Sequence, residues 1–304
     1  MHQAAAHTKT MSPKSRAVAA LIVANIALAS GPLFVRMADV GPVAAGFWRI
    51  ALATPVLLVL AVAMGGKPIE KSRGLWEVLA IAGVAFAADL ASWHVGILHT
   101  TLANSTLFGN SATLIFPIYG FIAARMWPSR LQGLALLLAA IGAGLLLGRS
   151  ASLSPDNLTG DLLCMLAGAL YAVYFVFMAR ARERLAPIPA LALSSIATIP
   201  PLLILAIAMG EQVMPGNWGP VVTLAVVSQL IGQGLMIYAL GHLSPLVIGI
   251  ALLIQPVVAA ALGWGIFDER LATADIIGAV LVAVALVLVR SSEVASGAKE
   301  PKST

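Results

Sequence analysis

PVLLVLAVAMG, residues 55–65, and PPLLILAIAMG, residues 200–210, agree at eight of eleven positions and stand 145 residues apart. Each closes a long apolar run. A helix needs about 20 predominantly apolar residues to cross the hydrocarbon core of a bilayer, and most of this chain is built of such runs. Its 304 residues are 60% hydrophobic and 10% charged, with a mean hydropathy of +0.96. Soluble domains carry about 25% charged residues, so the solvent for most of this surface is lipid rather than water. Working outward from the two copies gives ten spans: 17–35, 43–64, 75–98, 101–124, 131–148, 160–179, 188–209, 218–240, 245–266 and 273–290. The connections are short. The predicted fold is an all-α integral membrane protein, with tails at 1–15 and 291–304 expected to be disordered and cytoplasmic.

Lys and Arg set the orientation. Fourteen of the eighteen lie in segments on the side of the N-terminus, among them Lys14, Arg16, Lys67, Lys71, Arg125, Arg180 and Arg290. Only Arg36, Arg149 and Arg270 fall in the opposite loops, and Arg49 lies inside the second span. Both termini are expected in the cytoplasm, which an even number of spans requires.

The two near-copies close spans two and seven. Five spans separate them, so the second copy crosses in the opposite direction. Other landmarks repeat: Ser105 with Ser244 and Pro117 with Pro256 at an offset of 139, and Arg130-Leu131 with Arg270-Leu271 at 140. The chain therefore reads as two five-helix halves, 16–149 and 150–290, in inverted topology around a central cavity. That is the layout of many secondary transporters, whose sites lie near the midplane between the halves. Pro117 and Pro256, each able to interrupt a helix, are candidate bending points; a static kink is the alternative.

Few polar residues lie deep in the spans, and ionisable ones there face the bundle interior or a watery cavity. His94 in span three corresponds, at offset 139, to Gln233 in span eight, so both are expected to address one central space. An interhelical hydrogen bond is the other reading. Trp93 neighbours His94 and is either a cavity residue or an interfacial anchor. Tyr171 and Tyr174 share nearly one helical face. Asn110 and Gln255 are further candidates, though an amide beside Pro256 also serves a freed carbonyl, and Gln229 and Gln233 line one stripe. Arg49 and Asp89 are expected at similar depth and as a structural ion pair; the alternative is a carboxylate that captures a cargo ammonium or a proton. Their counterparts, Ser194 and Ser228, are uncharged.

No Walker-A run is present for driving a pump with ATP, and neither HExxH nor paired catalytic carboxylates argue for an enzyme. The histidines do not cluster with metal-ligand spacing, and a single cysteine, Cys164, cannot form an internal disulfide. No cofactor or metal is expected, and the distribution of the positive charge points to membrane topology rather than nucleic acid.

The 5 + 5 arrangement, Phe47-Trp48-Arg49, and proline-containing spans four and nine followed by Arg-Leu resemble the drug/metabolite transporter superfamily. Its ten-helix EamA-type exporters, and among them the YddG-type aromatic amino-acid exporters of bacterial inner membranes, are most similar. The resemblance covers about residues 16–290. It implies export of amino acids, aromatic or neutral, and related metabolites through a cavity lined by spans one, three, four, six, eight and nine. Carried onto this chain, the lining would include Trp93, His94, Asn110, Phe116, Tyr171 and Gln233. Small multidrug members use a glutamate in the first helix for proton coupling, whereas span one here has Asn25 and no acid. Facilitated export fits better than proton-coupled drug antiport, and a non-transporting membrane scaffold is the remaining alternative.

Overall fold

The structure is a computed structural model that describes residues 12–64, 67–99, 108–148 and 158–255, together with single positions between 257 and 288. Pro256, most of span ten and residues 101–107 lie outside the described residues, as do the tails before 12 and after 290.

The described chain is helical. Helix α1 is Pro13–Ala29, α2 Gly31–Met37, α3 Pro42–Ala63, α4 Pro68–Lys71, α5 Trp76–His99, α6 Ala112–Ala124 and α7 Arg130–Gly148. Then come α8 Leu158–Arg182, α9 Pro187–Ala208, α10 Trp218–Leu224, a π-helical segment Ala225–Gln233, α11 Gly234–Leu240 and α12 Pro245–Leu252. Among the described residues, six stretches are long and apolar enough to cross a membrane: Pro13–Val35, Pro42–Ala63, Trp76–His99, Leu158–Arg182, Pro187–Ala208 and Trp218–Leu240. Large apolar side chains lie on the outside, Val59 at 67% and Ile122 at 70% exposed, while Arg49, Asp89, His94, Gln229 and Gln233 are buried. Lipid selects that distribution and water opposes it. This is a multi-pass membrane protein.

Local chemistry sets the helix starts. Several open on proline, whose missing N–H costs nothing in the first turn. Ser12 caps α1 by accepting from the Ser15 N–H at 3.1 Å, so the helix begins inside the segment expected to be a disordered tail. The first span is not one helix as expected. Pro32 has no N–H to continue the ladder, the chain breaks at Ser30, and the Ser30 hydroxyl donates to the Ala27 carbonyl at 2.7 Å. Asn110, expected within a span, sits in a turn just before α6.

Side by side, α5 packs along α8, α1 along the π segment and α11, α3 against α9, and α6 against α12. At one face the segments before α3 and after α9 are tied together. The Glu211 carboxylate accepts from the N–H groups of Val43 (3.2 Å) and Ala44 (2.7 Å). Asp39 accepts from Gly216 and Asn217, both at 2.9 Å, and the Trp48 indole donates to the Val213 carbonyl at 2.6 Å. A Cβ at Gly41 would run into the Glu211 side chain, so this junction needs glycine. Glu211 both satisfies two orphan donors and places negative charge at a helix N-terminus. Glu211→Ala is expected to cost about 1–2 kcal/mol, read as a lower Tm in detergent. An unchanged Tm would show that the cap contributes nothing.

Candidate functional site

A cavity of about 90 Å3 opens where α1, α2, α3, α5, α8 and the π segment meet. One water needs about 10–15 Å3 on this measure, so the space holds several waters or a small polar solute. Its lining is mixed. Leu28, Ala29, Pro32, Phe86 and Leu90 give apolar wall; Arg49, Asp89, Asn110, Tyr171, Gln233 and Gln255 give polar groups, joined by Trp93 and Gly109. The break in the first span therefore lies at the cavity wall. Non-helical backbone at membrane depth is tolerated where it lines such a space.

Of the residues named from sequence, Trp93, Asn110, Tyr171, Gln233 and Gln255 line this cavity. The Tyr171 hydroxyl donates to Gln233 Oε1 at 3.3 Å. Gln255 Nε2 donates to Asn25 Oδ1 at 3.0 Å, and Asn25 Nδ2 donates to the Leu21 carbonyl at 2.8 Å. Gln255 thus reaches across to α1 and is held by a second amide.

Three candidates are not in the lining. Successive helix residues point about 100° apart, and here the turn of α5 gives Trp93 and His94 different neighbours. Trp93 takes the cavity. His94 turns to α3, where Nδ1–H donates to the Pro42 carbonyl at 2.6 Å, with Gly46 leaving room for the ring. It joins two helices and is not a cavity residue. Phe116 is fully buried against Phe175, ring centroids 5.2 Å apart. Tyr174 is fully buried and stacks on Phe86 at 4.5 Å. Both belong to an aromatic wall behind the lining, in which Tyr171 also packs on Phe175 at 4.2 Å. The helix α6 runs through Pro117.

The expected ion pair does not form. Among the described residues the one ion pair is Lys67–Glu70, at 2.9 Å and on the surface. Arg49 Nε instead donates to Gln229 Oε1 at 3.2 Å, and its guanidinium lies 5.6 Å from the centre of the Phe86 ring. Gln229 Nε2 in turn reaches the Ser195 hydroxyl at 3.5 Å. Arg49 is thus hydrogen-bonded to the π segment and lies over Phe86 of α5, while it and Asp89 both line one cavity without direct contact.

Sequence reading missed that π segment and its use. It presents Ser228, Gln229 and Gln233 inward, all buried, and π turns inside α-helices occur frequently at functional sites. No motif in Ala225–Gln233 announces it. The break at Ser30 did have a signal, Ser30-Gly31-Pro32. Among the described residues no group of His, Cys, Asp and Glu is placed to hold a metal ion.

Comparison with known proteins agrees with this architecture. An uncharacterized transporter of Archaeoglobus fulgidus is 26% identical over 140 residues, 45% of this chain and 48% of that protein. The chain thus spans about half the length of that curated relative. A solved structure, described only as a crystal structure of a protein, has the same fold. Its TM-score is 0.78 at 16% identity, over 94% of this chain and 99% of that one. Residues 158–291, in the second half of the chain, are similar to the EamA-like transporter family.

Proposed function

We propose that this chain is a secondary transporter that exports amino acids, aromatic or neutral, and related small metabolites across a bacterial inner membrane by alternating access, without a cofactor. The observation that carries the reading is a polar cavity inside an otherwise lipid-adapted bundle, lined by Arg49, Asp89, Asn110, Tyr171, Gln233 and Gln255. Buried polar and charged groups are costly in a membrane and mark solute pathways.

The inverted repeat, with halves 16–149 and 150–290, is supported by the packing. Exchange α1 with α8, α3 with α9, α5 with the helix from α10 to α11, and α6 with α12. The α5–α8 contact then becomes that of α11 with α1, and the α3–α9 and α6–α12 contacts map onto themselves. Two halves related in this way give two states of similar energy, open to opposite sides. Termini in the cytoplasm put residues 38–41 and 210–217, where Asp39 and Glu211 meet the opposite segment, outside, and these carry no Lys or Arg.

The test is uptake of labelled amino acids into liposomes holding the purified chain alone. Gln233→Leu removes a cavity amide and strands the Tyr171 hydroxyl; about a tenfold loss of uptake is expected. Val59→Ala, on the lipid face, should leave uptake unchanged. A pH gradient across the same liposomes separates facilitated export from proton coupling. Folded protein that moves no amino acid would falsify the reading.

A further inference from the structure

We infer that Arg49 and Asp89 are the two poles of a zwitterion site: Arg49 takes the carboxylate of the cargo and Asp89 its ammonium. This rests on the transport reading above and names the chemical pattern the cavity selects, opposite charges on two groups attached to one carbon of a small solute.

Four observations converge. Both residues line the same cavity, and they do not form an ion pair with each other. Arg49 is fixed from two sides, by Gln229 at Nε and by the Phe86 ring, and no acceptor among the described residues takes its terminal nitrogens. Those nitrogens are the part of a guanidinium that grips a carboxylate. Asp89 is nearly buried on α5, four residues before Trp93 and therefore on the same stripe, and no described donor occupies its oxygens. Holding two ionisable groups at membrane depth without direct contact between them is costly. A structural pair would have closed. A pair held open across a solute-sized cavity is completed by a molecule that carries both opposite charges.

The surrounding groups fit such a guest. Charge comes only from the first half, on α3 and α5. The second half supplies the neutral hydrogen-bonding groups Tyr171, Gln233 and Gln255. The positions related by the repeat, Ser194 and Ser228, are buried and uncharged. The cargo's head group is thus held off the pseudo-symmetry axis in one polarity, and its remaining surface faces Phe86, Leu90, Trp93 and Leu28. A singly charged cation or anion would leave one pole uncompensated.

The experiment is a competition assay in liposomes with labelled alanine and labelled phenylalanine. Each is competed by its amide, which lacks the carboxylate, and by its 2-hydroxy acid, which lacks the ammonium. With the unaltered protein, both analogues should compete at least about tenfold more weakly than the parent amino acid. Asp89→Asn should narrow the gap for lactate and phenyllactate to about threefold or less, while the amides stay weak. Arg49→Gln should do the reverse. A purely structural role for the two residues would lower all three solutes together and leave the ratios unchanged; that result overturns the assignment, as does equal competition by all three in the unaltered protein. Should either variant misfold, the ratios of the unaltered protein decide. Folded protein without transport sinks the transport reading, and calorimetric binding of the same three solutes then still supports or overturns the two-pole site.

Discussion

Gln229→Leu is expected to disable the protein although Gln229 is not in the cavity wall. Its Oε1 accepts from Arg49 Nε at 3.2 Å, and both side chains are buried. Leucine has similar volume and no acceptor, so packing survives while the guanidinium loses its protein anchor. Leaving a charged donor unsatisfied in a dry environment costs about 3 kcal/mol or more. Arg49 then has two ways out: swing toward Asp89 and close the ion pair, or remain and strain the contact between α3 and the π segment. The first removes the free cationic pole from the cavity, and the second leaves that pole without its anchor. Amino-acid uptake in liposomes should fall at least about a hundredfold, which corresponds to about 2.7 kcal/mol. Gln229→Glu keeps the acceptor and adds charge, so Arg49 stays anchored and uptake should remain measurable. Equal uptake by Gln229→Leu and the unaltered protein would show that Arg49 needs no positioning.

The same residue shows what a sequence conveys and where it stops. Gln229 and Gln233 are readable as one inward stripe because helical periodicity is strong. That Gln229, rather than Asp89, engages Arg49 depends on where the π segment sets the register of its turn. Such turns have no composition of their own. The outline of the bundle was legible because lipid imposes length and apolarity on every spanning run, and proline marks many of the helix starts. The near-copies at 55–65 and 200–210 close α3 and α9, and those helices lie against each other. Side-chain direction was less legible. Trp93 and His94 are adjacent and similarly polar at one end, and only the neighbours of α5 decide which one sees the cavity. Tyr171 and Tyr174 differ in the same way: three residues of separation placed one on the lining and the other against Phe86. The first span failed as a single helix because mean apolarity outweighed Ser30-Gly31-Pro32 in the reading, although proline chemistry dictates a break there.

Gly83→Ala should destabilise the protein although it adds only one methyl group. A Cβ built on Gly83 would overlap the Ser194 carbonyl oxygen, lie 2.5 Å from the Ala197 Cβ and 3.1 Å from the Ala197 carbonyl carbon. Two of these atoms are backbone of α9 and cannot rotate away. Close approach of α5 and α9 is also what lets the Thr198 hydroxyl reach the Gly83 carbonyl at 3.0 Å while within bonding distance of Ser194 O, also at 3.0 Å. Small residues at membrane helix interfaces serve this end, since packing rather than water exclusion holds such helices together. Alanine in a helix is worth up to about 1 kcal/mol over glycine. Overpacking costs about 1–3 kcal/mol, occasionally more, and the rigid backbone partners put this site at the upper end. The expected net is a destabilisation of about 2 kcal/mol, seen as a clear fall in Tm in detergent. Gly133→Ala is the matched control: nothing lies within 4 Å of its added Cβ, so the propensity gain stands alone and Tm should hold or rise slightly. If both substitutions behave alike, α5 and α9 are not in backbone contact at Gly83. The α3–α5–α9 packing that holds Arg49 and Asp89 on one cavity then loses its basis as well.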